Sequence, residues 1–68
     1  MYKLIDFTNN VVLLIKAKHV SSITYIENDW NGHDVLNVAV VFASGNREVI
    51  TVLNTQKNKD LFDEILND

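Results

Sequence analysis

The chain opens with two apolar segments separated by a polar turn. Tyr2–Phe7 and Val11–Lys16 flank Thr8-Asn9-Asn10, and Asn tolerates the left-handed backbone that a tight turn needs. The pattern predicts a hairpin. Val11-Val12-Leu13-Leu14-Ile15 is apolar at every position, which is expected of a strand covered on both faces. In a chain this short, the second cover is expected from another copy or a partner. Ala17–Ser21 then forms a short connection with room for one helical turn. Ser22–Glu27 alternates, with Ile23 and Tyr25 on one face and Thr24 and Ile26 on the other, and predicts a third strand. Asn28–Asp34 reads as a loop with Gly32 as its flexible point.

A second hairpin follows. Val35–Phe42 places Leu36, Val38, Val40 and Phe42 on one face and Val35, Asn37, Ala39 and Val41 on the other. Ala43-Ser44-Gly45-Asn46 supplies the turn, since Gly and Asn accept positive φ. Arg47–Leu53 returns with Val49, Thr51 and Leu53 opposed to Glu48, Ile50 and Val52. Both faces are again largely apolar, and a covering layer is expected on each. Leu61, Phe62, Ile65 and Leu66 then recur at helical spacing, with Asp60, Asp63 and Glu64 on the other side. Capping by Thr55 would put Lys57 in a first turn whose dipole disfavours cations. Capping by Asn58 instead would place Asp60 at a favourable second position, and the pattern leaves both starts open. A helix this short must dock on the sheet to be stable.

The order β-β-β-β-β-α predicts a single small α+β domain over residues 1–68. Its expected form is an antiparallel sheet of about five strands, strongly curved or barrel-like, with one C-terminal helix packed on it. Composition agrees: Val, Ile and Leu number 22 against 3 Ala, a balance that favours strands. With 47% hydrophobic and 22% charged residues, the chain is foldable rather than disordered. It has no Cys and no Pro, which excludes disulfides and thiolate metal sites. Its longest apolar run falls far short of the ~18 residues of a membrane span. The first residues lack a basic stretch followed by an apolar core, so no signal peptide and a cytoplasmic location are expected. Below ~70–80 residues one core rarely supplies more than ~3–5 kcal/mol. A homo-oligomer is therefore expected.

Charge narrows the partners. Six Lys+Arg against nine Asp+Glu give −3. Residues 1–34 carry three basic and four acidic groups (−1), and residues 35–68 three and five (−2). Neither half is the basic footprint of a nucleic-acid binder. Asp29-Trp30-Asn31-Gly32-His33-Asp34 is the one polar cluster with candidate chemistry. As a calcium loop it fails, with Gly32 at position four rather than six and Val40 at twelve. As a zinc site it would need distant help from His19. His19 beside Ser21 and Ser22 lacks a nucleophile elbow, no glycine-rich phosphate loop occurs, and Asp63 and Glu64 diverge as helix neighbours. No catalytic residue, metal or cofactor is expected.

Trp30 is the natural anchor for a partner, because Trp buries a large area at small entropic cost; its alternative role is to close the chain's own core. Trp30, Asp29, Asn31, His33 and Arg47 are the candidate partner-binding residues. The expected function is non-enzymatic protein binding, as an adaptor or inhibitor that occupies a protein partner's surface. Bacterial and phage accessory proteins, including inhibitors of host defence machinery, are often this short, and that expectation rests on size alone. The alternative is an oligomer holding a small molecule or nucleotide between subunits, in a pocket lined by Trp30, His33 or Arg47.

Overall fold

In a computed structural model that describes all 68 residues, five strands precede one helix. They are β1 (Tyr2–Asp6), β2 (Val11–Ile15), β3 (Val20–Trp30), β4 (His33–Phe42) and β5 (Arg47–Leu53), followed by α1 (Gln56–Asn67). A single 3₁₀ turn, Ala17–His19, joins β2 to β3. The fold is α+β with two antiparallel sheets, β1-β2 and β3-β4-β5. The sheets meet where the Phe7 amide donates to the Thr51 carbonyl at 2.6 Å, and they do not close into a barrel. No helix is long and apolar enough to cross a membrane.

The core lies between the sheets and the helix. Leu4 and Ile15 come from the first hairpin, and Ile23, Leu36, Val38, Val40, Ile50 and Val52 from the second sheet. Phe62 and Ile65 come from α1. Register explains the selection: Leu36 pairs with Val52 and Val38 with Ile50, so these side chains share one face of the pleat. The predicted helix stripe docks through Phe62 and Ile65, with Leu61 half-buried, while Leu66 stays exposed.

One expectation needs correction. Asn28–Asp34 is not a loop. β3 runs on to Trp30, β4 begins at His33, and only Asn31 (φ 50) and Gly32 (φ 82) turn the chain. Two consecutive residues at positive φ are the signature of the primed hairpin turn whose twist matches its strands, and Asn-Gly is its favoured dipeptide. The helix is capped by Thr55, whose Oγ1 accepts from the Asn58 amide at 3.1 Å. Asn58 instead donates its side-chain amide to the Leu53 carbonyl at 2.8 Å. An exposed Lys57 in the first turn costs only about 0.3–1 kcal/mol, and a start at Asn58 would give up the tether to Leu53 because the Asn58 side chain would be the cap. As expected of a chain with one short helix, its own elements leave one face of the apolar strands largely uncovered. Val12, Leu14, Ile26 and Val49 stand in solvent, on the sides of the two sheets turned away from the core they share with α1.

Candidate functional site

The uncovered side of β3-β4-β5 is built by register. Residues paired Trp30 to His33, Asn28 to Val35, Ile26 to Asn37 and Thr24 to Ala39 lie on it from β3 and β4. Leu53, Thr51, Val49 and Arg47 continue it across β5. Three zones follow one another along this face.

At the hairpin tip stands an aromatic cluster. Phe7, carried over from the end of β1, meets Trp30 edge-on with ring centroids 5.6 Å apart. It meets His33 in the same way at 5.1 Å, and the Trp30 and His33 rings stack obliquely at 6.3 Å. Edge-to-face packing suits the quadrupoles of the rings. Val35, on the same face, is fully buried yet stands outside the main core. Trp30 packs against Phe7 and His33 and still leaves 39% of its surface in solvent.

In the middle runs a polar ladder, one residue from each strand. The Asn28 side-chain amide donates to Asn37 Oδ1 at 2.8 Å, and the Asn37 amide donates to Thr51 Oγ1 at 3.0 Å. Cross-strand bonds of this kind hold a sheet face in register. Beyond the ladder Ile26 and Val49 flank Ala39 and are 68% and 57% exposed. With Thr24, Asn37 and Arg47 they line a shallow groove of about 220 Å³. Lys59 and Glu27 make the one ion pair, at 3.4 Å, so the Arg47 guanidinium has no carboxylate partner.

The five candidate residues are therefore not one cluster. Trp30 and His33 are brought together. Asn31 occupies the turn, and Asp29 lies on the opposite face of β3 with Oδ1 accepting the Gly32 amide at 3.1 Å. Arg47 pairs with Val41, eight β4 residues from His33, a separation of roughly 27 Å at ~3.4 Å per residue. A single pocket lined by Trp30, His33 and Arg47 of one chain is excluded by that distance. Nowhere do three or more His, Asp or Glu gather as a metal site would require.

Sequence reasoning missed three contributors. Phe7 was read only as a strand end. Asn37 was one polar position in an apolar strand, a signal that a ladder could have explained. Asp6 is buried, and its carboxylate accepts from the Thr8 amide and hydroxyl (2.9 and 2.8 Å) and from the amides of Asn9. Burial works against this carboxylate, and the hydrogen bonds from Thr8 and Asn9 outweigh it, holding the carboxyl below the usual aspartate value. This turn carries Phe7 over the sheet end, so Asp6 positions the aromatic cluster.

Fold and site together define a small α+β module whose three-stranded sheet has one face packed in the core and the other largely open. No family model, no curated protein and no solved structure matches the chain.

Proposed function

We propose that this chain is a non-enzymatic protein-binding module, an adaptor or inhibitor that lays the open face of β3-β4-β5 against a partner's surface. One observation carries the reading. Ile26 and Val49 are the most exposed apolar side chains of that sheet, and they share a face with the half-exposed Trp30 and an unpaired Arg47. Trp and Arg are the residues most often found as interface hot spots. The ladder Asn28–Asn37–Thr51 retains spare amide and hydroxyl valences for a polar contact between the apolar zones. The accessory-protein role suggested by chain size is part of this proposal.

The test is affinity capture from the native host with wild type, Trp30→Ala, Ile26→Asp and Val12→Lys, followed by calorimetry on the captured protein. A partner on the open face loses about 30-fold or more in affinity with Trp30→Ala, the ~2 kcal/mol hot-spot scale. It is also lost with Ile26→Asp and kept with Val12→Lys, which lies on the other sheet. Folded Trp30→Ala and Ile26→Asp variants that both keep full affinity overturn the reading.

A further inference from the structure

We propose that the open edge of β2 pairs, antiparallel, with β2 of a second copy about a two-fold axis through Leu13. This inference concerns the other sheet and does not rest on the reading of the β3-β4-β5 face.

β2 pairs only with β1, and none of the backbone hydrogen bonds outside the regular elements joins its residues to another part of the chain. Val11–Ile15 contains no charge, no proline, no glycine and no bulge. Strand edges are ordinarily blunted by such devices, because unpaired amides and carbonyls template pairing with another chain. The second free edge shows what protection looks like here. β3 carries a register shift between Val20 and Ser22 and the charged Glu27 and Asp29. It is also flanked by α1, through Tyr25 and Phe62 at 5.4 Å and the Lys59–Glu27 pair.

The side chains favour self-pairing in one register. Val12 and Leu14 point outward with Ile5, which is the β1 partner of Val12. These three are 51%, 60% and 52% exposed. An axis through Leu13 sets Val12 opposite Leu14 of the copy and Val11 opposite Ile15. Only this register pairs all five β2 residues, and no like charges meet across it. Moving the axis toward Lys16 brings that ammonium against the apolar edge, and finally against its own copy. A closed two-fold contact uses the same patch on both chains, as a strand edge facing itself does. The result is a four-stranded sheet in the order β1-β2-β2-β1, with Val12 and Leu14 side by side across the axis. With only 12 of 68 residues buried within the chain, a second copy also answers the shortage of core.

Light scattering from micromolar to millimolar concentration reads the assembly, with circular dichroism as the check on folding. Wild type should pass from the 7.8 kDa chain mass to twice that value. The double variant Val12→Lys/Leu14→Lys opposes ammonium groups across the axis and should stay at the chain mass. Val12→Lys/Leu14→Glu opposes ammonium to carboxylate on both sides and should recover the doubled mass. A mixed sample of isotope-labelled and unlabelled wild type gives a reading independent of the variants, since Val12 methyls should show contacts to Leu14 methyls of the other copy. A single-chain mass at every concentration overturns the proposal. So does a doubled mass that survives the Lys/Lys variant or fails to return with a folded Lys/Glu variant, and so does a dimer without the Val12–Leu14 contact.

Discussion

The two faces of β3-β4-β5 are written by the same strands and end differently. On one, Leu36, Val38, Val40, Ile50 and Val52 meet Phe62 and Ile65 and are dry. On the other, one pleat away, Ile26 and Val49 stand in solvent beside a ladder of amides. The strand pattern predicts nearly equal apolarity for both. Cover, not composition, separates them: α1 and the β1-β2 hairpin close the core side, and only Phe7 reaches the tip of the other face. The lesson is that an apolar alternate face is surplus to folding when its residues lie beyond the reach of the remaining elements, and is then free for contact.

The largest effect should come from removing the cover. Phe62→Ala empties a fully buried ring site and should cost about 3–5 kcal/mol, close to the whole stability of a small domain, measured by urea unfolding. A loss under about 1 kcal/mol would mean that the helix does not make the inner face dry.

Next comes the one polar group among the buried residues. Asp6→Ala strands the Thr8 and Asn9 donors and should cost about 1–3 kcal/mol. Its pH signature has a definite sign. Because the folded carboxyl lies below its ordinary value, the stabilisation is complete above that value, roughly pH 4. It is lost as pH falls through the lower folded value. Denaturation at neutral pH and near pH 3 should therefore show a smaller acid-induced loss in Asp6→Asn than in wild type. An equal loss would deny Asp6 its role at the turn.

Gly32→Ala tests the hairpin that carries both faces to Trp30. A Cβ there meets no atom within 4 Å, so only the positive φ is penalised, at about 1 kcal/mol. No change in the urea midpoint would contradict the Asn31-Gly32 turn. Smallest of all, Ile26→Ser on the open face should move stability by no more than about 0.5 kcal/mol. A loss near that of Phe62→Ala would show the outer face to be core.

How much of this could be read from the sequence depends on what each feature needs. Strand alternation in Val35–Phe42 and the stripe Leu61, Phe62, Ile65, Leu66 are local patterns, and they predicted the elements and the helix docking. The Asn31-Gly32 turn was also local. It was hidden by the polar residues around it, which read as a loop although they belong to strand ends paired through Asp29–Asp34 and Trp30–His33. Which apolar face stays open was not legible, since it depends on where β1 and α1 dock. Nor was the meeting of Phe7 with Trp30, which joins positions 23 residues apart. The helix start shows a contest between a cap and a dipole, decided by the tie from Asn58 to the Leu53 carbonyl that no spacing reveals.

The central claim is that one strand serves two faces with opposite fates, and adjacent residues of β5 test it most directly. Ile50 is buried and Val49 is open, so urea unfolding of Ile50→Ala and Val49→Ala compares the faces with everything else held constant. The account predicts a loss of about 2–5 kcal/mol for Ile50→Ala and of no more than about 0.5 kcal/mol for Val49→Ala. Equal losses, or a larger one for Val49→Ala, would contradict it.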